Sequence, residues 1–254
     1  MTKRALSFGA IADAYERYRP GYPDELVEAV ITYGTRRPRT ALEIGAGTGK
    51  ATRAFVKYGI DVLATEPDPD MLAVLRREVP AAATAQATLE ELSVTSTYDL
   101  VYVAAALHWT DPATRWPRIA TLLRPGGTFA SFGGPFELAD AADQRALDEA
   151  RRPYVADDAI NPPVGDWSDT EMRWPGSELE RTDLFADVRQ VVIERSFTTS
   201  ADDYVAHLST ISAYLQLPPT ELAALLDACR RALPETVEVS ADVDLHLARR
   251  AGPG

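Results

Sequence analysis

Leu42-Glu43-Ile44-Gly45-Ala46-Gly47-Thr48-Gly49 joins a short apolar run, Thr40–Ile44, to an amphipathic segment over 48–58. An apolar run of that length ending in a glycine cluster reads as a buried strand followed by a turn. Glycines there permit positive φ and let a ligand come close to the backbone. A strand, a glycine turn and a helix start form a site for a nucleotide-like group. Working outward, Asp61–Thr65 predicts a second strand, Asp70–Glu78 a helix, 81–86 a third strand, Tyr98–Ala105 a fourth, 112–123 a helix stopped by Pro125-Gly126-Gly127, and Thr128–Phe132 a fifth strand. Upstream, 24–33 reads as a helix that Asp24 could cap. This alternation implies a parallel sheet covered on both faces, with ligands at the strand carboxyl ends where the strand order reverses.

Beyond residue 136 the rhythm breaks. Ala139–Arg152 looks helical and is followed by Pro153, Pro162, Pro163, Gly165, Trp167, Trp174 and Pro175. Val188–Phe197 then predicts a strand, Ser200–Leu215 and Pro219–Ala232 helices, and Val237–Ala248 a final strand. The expectation is one domain over 1–254: an N-terminal lid (1–35), a cofactor-binding core (38–135), a cap insertion (136–182) and a sheet-completing segment (183–254).

Composition narrows the function. The 254 residues are 46% hydrophobic and 25% charged, as in ordinary globular chains. Lys plus Arg number 26 against 38 Asp plus Glu, so the net charge of 26 − 38 = −12 argues against a broad nucleic-acid grip. The single Cys229 excludes an intrachain disulfide and a multi-cysteine zinc site, and reads as a helix core residue. Three scattered histidines give no metal cluster. Lys3 and Arg4 precede no uninterrupted apolar stretch, and no run is apolar enough for a membrane span, so a cytoplasmic protein is expected.

Four features qualify the glycine turn. Glu43 would repel a pyrophosphate but could reach an α-ammonium, directly or through water. Glu66 ends the second strand, where an acid can take both ribose hydroxyls. Thr88-Leu89-Glu90 follows the third strand, where an adenine edge would lie. Asp99 opens the fourth strand, in a strand-geometry or capping role, and Leu123-Arg124-Pro125-Gly126-Gly127 precedes the fifth.

Together these residues resemble the class I S-adenosylmethionine-dependent methyltransferase superfamily, closest to its small-molecule branch of types 11 and 25. Tyr15-Glu16-Arg17-Tyr18-Arg19-Pro20-Gly21-Tyr22-Pro23 is similar to that branch's Y-x-x-x-R-P-x-Y-P segment, and Ala106-Leu107-His108-Trp109 to its A-x-H-W motif. The resemblance implies a Rossmann-like α/β fold: a seven-stranded, mostly parallel sheet with helices on both faces and an antiparallel last strand. It implies S-adenosylmethionine as cofactor and S-adenosylhomocysteine as product. Gly45, Ala46, Gly47, Thr48 and Gly49 would line the methionine portion, with Glu43 beside it. Glu66 would hold the ribose, with Pro67, Asp68 and Met71 near the adenine and Thr88 and Leu89 at its other edge. Ala104 and Ala105 would lie near the sulfonium, and Tyr15 and Arg19 would fold over the cofactor carboxylate.

Methyl transfer is an in-line displacement, so alignment matters most and a base is needed only for a proton of high pKa. His108, past the fourth strand, is the candidate base; its alternative is packing beside Trp109. Tyr18, Tyr22, Trp109, Tyr154, His207 and Tyr214 are candidate substrate contacts, and the tyrosines equally suit packing. His246 on the last strand points away from Val243, Leu245 and Leu247, toward solvent or the neighbouring sheet face. The aromatic cap residues Tyr154, Trp167 and Trp174, with Met172, suit an apolar or aromatic small metabolite. No nucleic-acid or membrane partner is expected, and the chain would be a monomer or homodimer. Ala104-Ala105-Ala106-Leu107 stands where amino-methylating nucleic-acid enzymes carry N/D-P-P-[FYW]. Alternatives are cyclisation of the cofactor's aminocarboxypropyl arm, a nicotinamide oxidoreductase, whose turn wants G-x-G-x-x-G, and a non-catalytic binding protein.

Overall fold

Glu43 and Tyr102 sit side by side in the register of two parallel strands, β1 (Thr40–Ile44) and β4 (Tyr98–Ala104). The computed structural model describes residues 8–155 and 172–252. Around that pair the chain lays down β2 (Asp61–Thr65), β3 (Ala83–Ala85), β5 (Leu123–Gly133), β6 (Glu137–Leu138), β7 (Phe185–Ile193), β8 (Ser196–Ser200), β9 (Thr236–Ser240) and β10 (Val243–Arg250). Seven strands form the main sheet in the order β3-β2-β1-β4-β5-β10-β7. Neighbours from β3 to β5 are parallel, and β10 runs antiparallel to both β5 and β7. This is the expected Rossmann-like sheet with its antiparallel last strand.

The helices are α1 (Ala12–Tyr18), α2 (Asp24–Tyr33), α3 (Lys50–Lys57), α4 (Pro69–Glu78), α5 (Arg115–Leu122), α6 (Ala141–Arg151), α7 (Gly176–Leu179), α8 (Ala201–Leu208) and α9 (Pro219–Ala232). Alternation along β4 and β5 divides the core. Leu100, Tyr102, Ala130 and Phe132 meet α2 and α3, while Val101, Val103 and Phe129 meet α5 through Trp116 and Ile119. Phe55 of α3 stacks on Tyr102 at 4.2 Å between centroids. The helices begin where local chemistry allows. Asp68 accepts from the N–H groups of Asp70 and Met71 and caps α4, whereas α2 starts after Pro23 with no side-chain cap, so Asp24 does not serve as one.

Several elements differ from the sequence reading. Pro125-Gly126-Gly127 does not end a helix; β5 runs through it from Leu123, with Gly126 at φ 72°. Helix α5 starts at Arg115 because Asp111 accepts the Ala113 N–H and folds Asp111–Thr114 into a turn. The segments 188–197 and 237–248 each read as one strand, but each is broken, at Glu194-Arg195 and Ala241-Asp242, and its halves join different sheets. The second sheet, β6-β9-β8, is antiparallel and packs with α6, α8 and α9 around Leu147, Tyr204, Tyr214 and Cys229. Helix α8 stops at Leu208, and a 3-10 turn follows at Tyr214–Gln216. His246 is buried, not solvent-facing, because β10 is an inner strand; its Nε2 meets Gln190 Oε1 at 3.0 Å. Pro162, Pro163, Gly165 and Trp167 lie outside the described residues. Among those described, no helix is long and apolar enough to cross a membrane.

Asp99 ties the amino ends of β1 and β4. Its Oδ2 accepts the Arg39 and Thr40 N–H groups at 3.0 and 3.2 Å, and Arg124 and Arg36 pair with Oδ1 at 2.7 and 2.9 Å. Burial raises its pKa, but the two N–H bonds and the two arginines together hold it below 3.8. A depressed carboxylate stabilises the native state above its unfolded pKa and loses that contribution as pH falls through the native value. Asp99→Asn is therefore expected to cost about 1–3 kcal/mol at neutral pH. Urea unfolding should show the difference shrinking as pH drops below 3.8.

Candidate functional site

Strand order reverses between β1 and β4, and the glycine turn sits at the carboxyl end of that junction. Gly45, Gly47 and Gly49 all take left-handed conformations, with φ of 67°, 58° and 88°. A side chain at Gly45 would place its Cβ 2.7 Å from the Cβ of Ala106, so both torsion and space require glycine there. The Ala46 N–H donates to the Thr65 carbonyl at 2.9 Å, carrying the β1–β2 pairing into the turn. Glu66, immediately after β2, then fixes the turn. Its Oε2 accepts the Gly47 N–H at 2.8 Å and its Oε1 the Asp68 N–H at 2.9 Å. Burial raises the Glu66 pKa against those two bonds.

Two adjoining hollows, of about 100 and 110 Å³, open over this turn. Tyr15, Gly45, Gly47, Ala104 and Ala105 border both. The first adds Glu66, Pro67, Met71, Thr88, Leu89, Glu90 and Trp109, all singled out in the sequence, together with Phe8, Ala87 and Thr110, which were not. The second adds the foreseen Arg19, Tyr22, Ala46, Thr48 and His207. It also brings in Lys50, Phe136, Arg195 and Asp242. Nothing local in the sequence marks Arg195 and Asp242; they arrive through the crossovers between the two sheets. Ala105 has a left-handed φ of 51°, and its N–H donates to the Phe132 carbonyl, bending the chain at the end of β4 between the hollows.

Other candidates fall elsewhere. Gly49 lines neither hollow and packs under Leu75 and Val79 of α4. His108 is exposed and borders a third depression, with Arg173, Trp174 and His246, which meets the second hollow at Ala105, Gly133 and Gly134. Tyr18 faces a different hollow, with Arg17, Phe197 and Tyr204. Tyr154 and Tyr214 pack into the core beneath the second sheet. Trp174 lies over Arg115 at 5.5 Å. Helix periodicity places such residues on a face but does not reveal which layer that face meets.

Glu43 is fully buried and lines neither hollow. Its Oε2 accepts from Thr52 Oγ1 at 2.5 Å and Tyr102 Oη at 2.8 Å, while Oε1 has no hydrogen-bond partner. His207 stacks on Phe136 at 3.9 Å, and its Nδ1 lies 3.4 Å from the Tyr18 carbonyl, so Nδ1 carries the proton. Burial, aided by the Arg19 charge, pushes its pKa down to about 3, and the ring is neutral. Among the described residues no cluster of three or more His, Cys, Asp or Glu side chains could hold a metal ion.

The fold and site share a pattern: a left-handed glycine turn at the strand-order switch, with an acid at the end of the second strand. The comparisons make the pattern specific. Residues 42–131 match the methyltransferase domain family, Methyltransf_11. An uncharacterized methyltransferase of Mycobacterium tuberculosis is 45% identical over 124 residues, 48% of this chain and 50% of the relative. The trans-aconitate 2-methyltransferase of Methylobacterium radiotolerans is 33% identical over 118 residues, 45% of this chain and 44% of the relative. A type II methyltransferase structure from Anaeromyxobacter dehalogenans superposes with a TM-score of 0.63 at 21% identity, covering 93% of this chain and 100% of that one. The chain spans about half the length of the curated relatives it matches. Over 42–131 the chain is thus similar to methyltransferase domains.

Glu43 gives the site a pH signature. Burial lifts its pKa to about 8, against the bonds from Thr52 and Tyr102 that lower it, with Glu66 adding a further rise. A native pKa above the unfolded 4.5 gives stability that is complete below 4.5 and lost as pH climbs through about 8. Glu43→Gln keeps the shape without the ionisation. Its urea midpoint is expected to fall less than the wild-type midpoint over roughly pH 6 to 9; parallel curves would contradict a buried proton on Glu43.

Proposed function

We propose that this protein transfers a methyl group from S-adenosylmethionine to a small molecule bound in the second hollow. The observation that carries this reading is the position of Glu66: one carboxylate, fixed by two backbone N–H groups, beside three left-handed glycines at the strand-order switch. The residues fit the cofactor. Gly45 leaves no room for a side chain, so a ligand can approach the backbone there, and Glu66 stands fixed beside the turn.

S-adenosylmethionine supplies the electrophilic methyl group, held on a positively charged sulfur. The remaining work is the protein's. Each Glu66 oxygen spends one lone pair on the backbone and keeps another for a ribose hydroxyl. Met71 and Leu89 give apolar walls for a purine. Arg19 is steadied by Thr210, at 2.9 Å to Oγ1 and 3.1 Å to the carbonyl, and lies over the Tyr15 ring at 5.2 Å; its charge suits the cofactor carboxylate. Ala104 and Ala105 keep the junction narrow-walled but open between the hollows.

The acceptor's hollow is polar and charged, lined by Arg19, Lys50, Arg195, His207 and Asp242. The aromatic cap residues that favoured an aromatic or apolar metabolite do not support one: Tyr154 packs in the core beneath the second sheet, and Trp174 covers Arg115. A relative is named for a small acceptor, trans-aconitate, which supports small-molecule methylation. His108 stands outside both hollows, and the low pKa of His207 makes it a poor base. The site therefore suits an acceptor atom that needs no deprotonation at neutral pH.

Calorimetric titration with S-adenosylhomocysteine should show binding, and Glu66→Ala should weaken it about 10- to 100-fold. An unchanged Kd would remove Glu66 from the site. His108→Ala should stay within about threefold of wild-type turnover, whereas loss of a base costs roughly 10²-fold or more. Product analysis closes the question, since methylthioadenosine in place of S-adenosylhomocysteine would indicate cyclisation of the cofactor's side arm.

A further inference from the structure

Arg195 occupies the two-residue break between β7 and β8, where the chain leaves the main sheet for the second one. The return crossover, Ala241-Asp242, runs beside it. The Arg195 N–H donates to Asp242 Oδ1 at 2.8 Å, and the Ala241 N–H donates to the Arg195 carbonyl at 2.8 Å. The backbone of Arg195 is thus clamped on both sides. Its side chain reaches across to the lid, where Nη1 donates to the Gly21 carbonyl at 2.6 Å, and its guanidinium lies over the Phe197 ring at 5.1 Å.

This cation lacks a counter-charge. Among the described residues no carboxylate lies within ion-pair distance of Arg195 or Arg19. The third cation of the hollow, Lys50, is paired with Glu16 at 3.5 Å. The lone acid on the lining, Asp242, is committed to a backbone N–H rather than to a guanidinium. Burial lowers the Arg195 pKa with no neighbouring negative charge to oppose it. A chain with a net charge of −12 has thus built a wall of unneutralised positive charge at one place, over its cleft. Partly buried guanidinium without a partner is costly unless a ligand supplies the missing charge. The planar fork, with one N–H committed to Gly21, keeps four N–H groups for a carboxylate.

We propose that the acceptor is a small organic acid and that Arg195 is its specificity-determining anchor, binding a carboxylate of the substrate across the cleft from the cofactor half. The neutral His207 ring, stacked on Phe136, forms the adjoining wall and presents Nε2 to a hydroxyl or second acid group of the same molecule. This rests on the reading of the first hollow as the cofactor seat; Arg19 lines the second hollow and is assigned to the cofactor's carboxylate, not to the acceptor.

The test uses the full chain saturated with S-adenosylhomocysteine. Succinate, citrate and benzoate are titrated by calorimetry beside their uncharged amides. At least one acid should bind while its amide does not. Arg195→Gln should weaken that acid about 10- to 100-fold, with the S-adenosylhomocysteine Kd unchanged. Arg195→Lys should recover part of the affinity, since it restores charge without the fork. Thermal unfolding of both variants shows that they are folded. Binding of none of the acids, equal binding of amides, or an Arg195→Gln variant that binds acids like the wild type would overturn the proposal. So would inorganic phosphate binding in place of every acid. Failure of S-adenosylhomocysteine to bind would instead defeat the cofactor reading, and the acid titrations on the unloaded chain would still report on Arg195.

Discussion

A single carboxylate–amide bond, from the Gly47 N–H to Glu66 Oε2, joins the turn after β1 to the end of β2. The left-handed glycines would otherwise form a loose loop with unpaired backbone donors. With the bond made, the turn is pinned to the neighbouring strand, and Asp68 continues the same chain of contacts into the cap of α4. The geometry of the first hollow follows, because Glu66, Pro67 and Met71 lie along one continuous, hydrogen-bonded stretch of backbone. Beneath it, the stack of Phe55, Tyr102 and Phe132 fills the layer under the turn, with Tyr102 also bonded to Glu43. These contacts tie the turn to β2, α4 and the aromatic layer beneath it.

The cofactor half was legible because its signals are local. A strand, a glycine turn and an acid at the end of the next strand follow one another within 27 residues, Thr40 through Glu66, and the spacing itself encodes the contact. The main-sheet strands from β1 to β4 were readable for the same reason, since parallel buried strands are continuous apolar runs. The acceptor half was not. The segments 188–197 and 237–248 alternate like single strands, and neither Glu194-Arg195 nor Ala241-Asp242 carries a glycine or proline to mark a break. Their division between two sheets is decided by long-range pairing. The misplacement of Tyr154 and Tyr214 has the same origin: without the second sheet on the page, an aromatic residue has no core to fill and is assigned to the ligand. Nearness to the end of β4 likewise does not decide which depression around Ala105 His108 borders.

The electrostatic design separates along the same line. The cofactor hollow carries Glu66 and Glu90, and the acceptor hollow carries Arg19, Lys50 and Arg195 against Asp242. A cationic sulfonium donor and an anionic acceptor would each face the sign that favours it, in a cleft a few side chains wide. The low-dielectric surroundings of Glu43 and His207, one held protonated and the other neutral, keep further charge out of the middle of the site.

The paired crossovers also bear on how such a protein can diversify. The second sheet hangs from the main one by short connections at Gly134–Phe136, Glu194-Arg195 and Ala241-Asp242, and none of them carries a residue of the glycine turn. Mutations in β8, β9 and their helices can therefore remodel the acceptor wall while leaving the cofactor seat intact. The stretch that matches the methyltransferase family, 42–131, ends within β5, before the first of these connections. On the proposed reading, chemistry and choice of substrate would be written on different parts of the chain, and the second could drift while the first is kept.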